Sequence, residues 1–206
     1  MSVYELNGNL LNKVYGISGD ELTIAYDVDG NVIFNTSEDG YKPNTFSVLG
    51  DSYSTYAGYT DTQEGYEGTA WYPKSGNLTS VDQTWWKLLE SQTNLQLLVN
   101  DSWSGSCICY DGYQEGTSDQ GDRGISFLNR MDKLGYPQYI LIFGGTNDSW
   151  VPVNVVDYKY SDWTEKDKEY FRPALACLID HMLTTYPKST VDLLKIQVLG
   201  HHLIPQ

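Results

Sequence analysis

Three short clusters carry the residue types that acyl transfer needs. The first is Gly50-Asp51-Ser52, the second Asn100-Asp101-Ser102-Trp103-Ser104-Gly105, and the third Gly144-Gly145-Thr146-Asn147-Asp148-Ser149-Trp150. A serine on a tight turn offers its hydroxyl for attack on a carbonyl carbon and leaves its own N–H available. A glycine lets backbone N–H approach a substrate closely. An asparagine amide can donate to the oxyanion that develops in the transition state. Asp51 and Asp148 read as supporting residues that hold their loops by accepting backbone N–H groups. Gly-Asp-Ser or Gly-x-Asn-Asp alone is ordinary turn composition. Both in this order, with a glycine-bearing cluster between them, form a much more specific signal. The tetrapeptide Asn-Asp-Ser-Trp also occurs twice, at 100–103 and 147–150.

Each cluster follows a short apolar run. Thr45–Leu49, Leu95–Val99 and Tyr139–Phe143 read as strands, the last entirely apolar and hence central in a sheet; Val191–Leu199 reads as a fourth. Helical signals fall between them. Ser80-Val81-Asp82-Gln83 is a capping box that should open an amphipathic helix through Trp85, Trp86, Leu88 and Leu89. A second helix carries Ile125, Leu128 and Met131 and stops at Gly135 and Pro137. Thr164-Glu165-Lys166-Asp167 should cap the longest helix, whose apolar face holds Phe171, Leu175, Leu178 and Met182; His181 falls at the spacing of that face and reads as a packed residue. Pro173 should kink or restart this helix and Pro187 end it. Tyr53–Gly76 has no clear period and reads as a long loop or broken helix, and Asp111–Asp122 as a surface loop. Strands separated by helices imply parallel βαβ units in a three-layer α/β/α sandwich of flavodoxin-like type. In such a sheet ligands sit outside the carboxyl ends of the strands, near a switch point, where all three clusters lie.

Residues 1–37 differ in kind. Leu6-Asn7-Gly8-Asn9, Ile17-Ser18-Gly19-Asp20 and Val28-Asp29-Gly30-Asn31 recur with a period of eleven, and Tyr15 and Tyr26 also fall one period apart. Asn-Gly, Ser-Gly and Asp-Gly between apolar runs are hairpin-turn signals, so this segment is expected to be a small β-hairpin repeat module ahead of an α/β domain at 38–206. Asp27-Val28-Asp29-Gly30-Asn31 lacks the glycine that a calcium loop needs at its sixth position, where Val32 stands.

The clusters resemble the blocks of the SGNH, or GDSL-type, hydrolase family. Phe46-Ser47-Val48-Leu49-Gly50-Asp51-Ser52 matches the first block, Gly105 the second-block glycine, and Gly145-Thr146-Asn147-Asp148 the third. The resemblance runs from about Thr45 to Leu199 and implies Ser52 as nucleophile. It implies an oxyanion hole from the N–H groups of Ser52 and Gly105 and the Asn147 side chain, and hydrolysis of esters, often acyl groups on carbohydrates or lipids. The family places its base in a late Asp-x-x-His block. No Asp in this chain has a His three residues on, and after the fourth strand only Gly200-His201-His202-Leu203-Ile204-Pro205-Gln206 follows. The α/β domain is therefore expected to be C-terminally truncated relative to the family. The base is left open: His201, His202, a partner chain, or none, the last giving an inactive glycan-binding or assembly module.

Composition bounds the partners. Among 206 residues, Asp and Glu outnumber Lys and Arg by 27 to 13, a net charge of −14. That field opposes nucleic acid and anionic lipid and is easier to reconcile with a neutral or cationic substrate; the partner that the resemblance implies is a small-molecule or carbohydrate ester. The 17 Tyr and 6 Trp, against 5 Phe, suit half-exposed sugar-facing surfaces. Trp150 and Trp103 could each wall a pocket or pack on its rim, and Arg172 could pair with a carboxylate. Cys107, Cys109 and Cys177 are too few for a disulfide framework, Cys107-Ile108-Cys109 lacks the spacing of a redox or zinc pair, and three histidines make zinc improbable. No Gly-x-Gly-x-x-Gly follows a strand, so no dinucleotide site is expected; no cofactor and no metal is expected. No run is long enough to span a bilayer and no secretory leader opens the chain, which leaves a cytoplasmic protein or one exported without its leader. A missing final strand would leave a sheet edge uncovered for self-association.

Overall fold

A computed structural model describes residues 41–62, 70–110, 125–150 and 153–194, together with strand segments at 14–15, 21–22, 24–26 and 32–35. Two compact units divide the chain, Met1–Lys42 and Pro43–Gln206.

In the first unit β1 (Val14–Tyr15) pairs antiparallel with β2 (Glu21–Leu22), and β3 (Ile24–Tyr26) with β4 (Val32–Asn35). The innermost pairs are Tyr15 with Glu21 and Tyr26 with Val32, so one hairpin closes eleven residues after the other. A register irregularity between Ala25 and Tyr26 distinguishes the second. The Leu6–Asn9 copy and the Asp27–Asn31 loop lie outside the described residues.

The second unit is built on a sheet in the order β6-β5-β7-β8. Its strands are β5 (Lys42–Gly50), β6 (Gln96–Ser102), β7 (Pro137–Phe143) and β8 (Thr190–Leu193), and all run parallel. Numbered within the unit this is 2-1-3-4, the doubly wound order whose switch point lies between β5 and β7. Both of these strands are interior. Their runs are apolar on two faces, as burial from both sides requires: Phe46, Val48 and Leu49 are inaccessible to solvent, as are Ile140 and Ile142.

The faces separate by strand alternation. Phe46, Val48 and Leu141 pack with Trp86 of helix α1 (Trp85–Gln92). Leu49, Ile140 and Ile142 pack on the other side with Phe127 and Leu128 of α2 (Phe127–Arg130) and Ala174, Leu178 and Met182 of α4 (Phe171–Thr185). Helices on both faces of a parallel sheet make the three-layer α/β sandwich. The short helix α3 (Thr146–Trp150) follows β7.

Several boundaries differ from the sequence reading. The Ser80–Gln83 capping box forms, but it opens a 3-10 turn at Val81–Gln83; extended Thr84 then interrupts and its own side chain caps α1. Likewise Thr164 and Asp167 bond reciprocally, yet the chain makes only a 3-10 turn at Asp167–Glu169 before α4 restarts behind extended Tyr170. Pro173 then sits in the first turn of α4, where its missing N–H has no intrahelical acceptor to lose, and the helix runs through it. The helix drawn around Ile125, Leu128 and Met131 is only four residues long. His181 is not packed in the core: its Nε2 lies 2.7 Å from Asp132 and 3.1 Å from the Thr185 hydroxyl on a half-buried flank of α4. The loop at Asp111–Asp122 and residues 195–199 of the fourth strand lie outside the described residues.

Candidate active site

The carboxyl ends of β5, β6 and β7 converge. Where β5 ends, the Asp51 N–H donates to the Phe143 carbonyl (3.1 Å), joining its exit to that of β7 across the switch point. Asp51 is extended, and its carboxylate caps a 3-10 turn at Ser52–Ser54 by accepting the Tyr53 N–H at 3.0 Å. Behind the turn, Trp86 Nε1 and Asn100 Nδ2 donate to the Ser54 carbonyl at 2.9 and 3.1 Å, and Trp85 Nε1 donates to the Ser54 hydroxyl at 3.1 Å. A Cβ at Gly50 would stand 2.8 Å from the Ser54 Cβ, so the approach requires glycine. Ser52 is left half-buried at the front of the turn.

After β6 the chain turns at once. The Trp103 N–H donates to the Gly50 carbonyl (3.1 Å), and the Ser106 N–H closes back on the Trp103 carbonyl at 3.3 Å. Gly105 holds the third position of this turn at φ +80°, a conformation side chains rarely adopt, and no atom would meet a Cβ there within 4 Å. After β7, Gly144 and Gly145 lead into α3, where Asn147 and Asp148 are both buried. Asn147 Nδ2 donates to the Ser106 carbonyl at 2.8 Å, which uses one of its two amide hydrogens. The Asp148 carboxylate accepts the N–H groups of Ile108 (2.9 Å) and Cys109 (3.2 Å) and the Cys109 thiol (3.2 Å). Asn147 and Asp148 thus staple the third cluster to the second.

Ser52, Gly105 and Asn147 line a single cavity of about 300 Å³, with Tyr53, Trp71, Ser104, Ile125 and Trp150. Trp71 and Trp150 are 43% and 62% exposed, and the Trp71 backbone is held by the Thr55 hydroxyl at 2.8 Å. Trp103 is elsewhere: its indole is buried, with Nε1 donating to Asp101 Oδ1 at 2.7 Å. Arg172 lies at the surface, 4.0 Å from Asp157 and over the Tyr158 ring.

Charge beneath the cavity is unusual. Burial pushes the Asp51 carboxyl up to about 6; the Tyr53 N–H opposes this and the Asp148 charge adds to it. Burial also raises Asp148, against its backbone donors. Arg130 is completely buried beside Asp101, and burial lowers it to about 10 against the attraction of the Asp101 carboxylate. Sequence reading did not select Arg130, Trp71, Tyr53, Ser104 or Ile125. Arg130 left one legible sign: a charged residue three after Phe127, at the spacing of one helix face. Trp71 left none, because its segment has no period.

The two terminal histidines lie outside the described residues, and among those described no His, Asp or Glu lines the cavity with Ser52. Among them no group of three His, Cys, Asp or Glu side chains is placed to hold a metal ion, and no helix is long and apolar enough to cross a membrane.

The profile of the GDSL-like lipase/acylhydrolase family matches residues 44–202. A solved structure from Bacteroides ovatus ATCC 8483, assigned as a GDSL-like lipase, is 44% identical with a TM-score of 0.65, over 74% of this chain and 72% of that one. One from Bacteroides uniformis ATCC 8492, assigned likewise, is 34% identical with a TM-score of 0.64, over 81% and 76%. A family two carbohydrate esterase from Clostridium thermocellum, solved with cellohexaose, is 19% identical with a TM-score of 0.41, over 80% and 46%. No curated protein matches the chain.

Proposed function

This chain belongs to the GDSL-like lipase/acylhydrolase family, and from that premise we propose that it is a serine ester hydrolase that removes an acyl group from a neutral, carbohydrate-like ester. The observation that supports the reading is the meeting of Ser52, Gly105 and Asn147, from three separate strand ends, in one cavity.

Ser52 Oγ bonds to the ester carbonyl carbon while its proton passes to a base. The carbonyl oxygen takes the negative charge and accepts from the N–H groups of Ser52 and Gly105 and the second amide hydrogen of Asn147. The bond to the alcohol then breaks, and the alcohol leaves with the proton from the base. Water attacks the acyl-Ser52 carbonyl, gives its proton to the base, and the adduct collapses to a carboxylic acid and the restored Ser52 hydroxyl. His201 and His202 are the candidates for the base. Both follow β8, a strand parallel to β5 and β7, whose carboxyl end lies on the same rim. The net charge of −14 disfavours an anionic substrate. The exposed indoles of Trp71 and Trp150 give apolar faces on which a sugar ring can lie.

Intact-mass labelling with a fluorophosphonate, with Ser52→Ala as control, tests the reading. One adduct that is lost in Ser52→Ala supports it, and loss of labelling in His201→Ala or His202→Ala identifies the base. Labelling that survives both histidine variants assigns the base to another chain. The same exposed indoles favour a second reading, glycan binding without hydrolysis. Folded protein that takes no label but retains an acetylated oligosaccharide would replace the hydrolase with that binding module.

A further inference from the structure

Arg130 has no assigned part in the acyl-transfer site, yet its contacts run through the groups that build it. The side chain is wholly inaccessible to solvent, with its guanidinium over the Phe127 ring (5.0 Å) and the Trp103 ring (5.9 Å). Its Nε donates to the Ile125 carbonyl at 2.7 Å. Nη1 donates to the Asp101 carbonyl and lies 3.5 Å from the Asp101 carboxylate. Nη2 donates to the Gly50 carbonyl and to the Ser106 hydroxyl, each at 3.1 Å. The guanidinium therefore caps the carboxyl ends of two adjacent strands, β5 and β6, at the residues just before the Ser52 turn and the Gly105 turn. Ser106 extends the chain of contacts, because its carbonyl holds Asn147.

A buried charge is costly, and a hydrophobic residue of similar volume is often as stable or more so. A planar, five-donor fork with every edge committed is a geometric device that neither lysine nor an apolar residue reproduces. We propose that Arg130 is a positioning residue for the acyl-transfer site. It fixes the separation of the Ser52 and Gly105 turns and, through Ser106, the place of Asn147. The inference rests on the hydrolase reading above. Its action is on the alignment of oxyanion donors, so its removal lowers kcat and leaves KM nearly unchanged: of the cavity lining it holds only the Ile125 backbone, and the Trp71 and Trp150 indoles on which substrate would rest are not among its contacts.

The test is hydrolysis of p-nitrophenyl acetate by the full chain, with each sample normalised to its folded fraction by thermal melting. Arg130→Lys keeps the charge beside Asp101 but cannot reach Gly50, Asp101, Ser106 and Ile125 together. A fall in kcat of ~10²-fold with KM within a few-fold is expected. Ser106→Ala keeps the backbone carbonyl that holds Asn147 and removes the hydroxyl to which Arg130 donates, together with that hydroxyl's own bonds to the Trp103 (2.9 Å) and Gly50 (3.3 Å) carbonyls. A fall in kcat of about tenfold is expected without a change in KM. This second variant keeps the proposal falsifiable if Arg130→Lys does not fold. In an Arg130→Gly protein, added ethylguanidinium should restore kcat where ethylammonium does not. A folded Arg130→Lys or Ser106→Ala protein with wild-type kcat overturns the positioning role alone. Wild-type protein that neither hydrolyses the ester nor labels at Ser52 overturns the hydrolase reading, and this inference with it.

Discussion

Asp51→Asn is expected to stabilise the protein at neutral pH and to do so progressively less in acid. Asp51 is inaccessible to solvent, and its Oδ2 has no hydrogen-bond partner among the described residues. Its carboxyl is raised from 3.8 to about 6, chiefly by burial. The native state therefore holds this proton more tightly than the unfolded chain does. Below about pH 4 both states are protonated and burial of the neutral acid is inexpensive; as pH rises the unfolded chain ionises first, and stability falls until the native carboxyl also ionises near pH 6. The difference between the two values corresponds to about 3 kcal/mol, lost in full above that window. Asparagine is neutral throughout. Its Oδ1 can still accept the Tyr53 N–H, and its Nδ2 would face the buried Thr146 hydroxyl, which stands close enough to Asp51 to draw its carboxyl down against burial. Urea unfolding of both proteins from about pH 4 to about pH 8 gives the difference in free energy, in which the titration of groups distant from Asp51 cancels. That difference should rise from near zero to on the order of 3 kcal/mol in favour of the variant. A flat difference, or a variant that loses ground as pH rises, would refute the account of a strained buried carboxylate.

Asn147→Ala should lower kcat by ~10²–10³-fold if its second amide hydrogen serves the oxyanion; an unchanged rate for p-nitrophenyl acetate removes it from that role. Gly144→Ala places a Cβ within the Phe127 ring and should cost ~1–3 kcal/mol by overpacking, read as a lowered Tm. A wild-type Tm would show that Phe127 moves aside freely. Trp150→Ala removes an exposed indole from the cavity wall, so stability should stay within about 0.5 kcal/mol while KM for an acylated oligosaccharide rises several-fold. An unmoved KM would place Trp150 outside the substrate's reach.

The site was legible where chemistry and local backbone coincide. Gly50-Asp51-Ser52 and Gly145-Thr146-Asn147-Asp148 each combine a turn requirement with a reactive type, and the interior strands that present them end in largely apolar stretches, residues 46–49 (interrupted by Ser47) and 139–143. The helix starts were misread for a local reason. A capping box satisfies N–H groups whether the next turn is α or 3-10, and the extended residues that decide, Thr84 and Tyr170, follow it. Arg130 was missed because its meaning is non-local: its acceptors lie at 50, 101, 106 and 125 and become neighbours only when two strand ends meet. Trp71 reaches the cavity through the Thr55 hydroxyl, sixteen residues away, a bond that no periodicity announces.

The distribution of indoles around the cavity also makes the protein its own optical reporter. Trp86 and Trp103 are sealed in the interior, Trp85 and Trp163 are half-buried outside the cavity lining and give a constant background, whereas Trp71 and Trp150 stand exposed on the cavity wall. The interior pair emits at short wavelength whatever occupies the cavity; the wall pair emits from relaxed water until something covers it. Occupancy therefore registers as a blue shift of the red edge of the emission band, and acrylamide should quench that edge in the empty protein but not in the filled one. A ligand can be followed in this way without a chromophore and without turnover, including in a Ser52→Ala protein that cannot consume it.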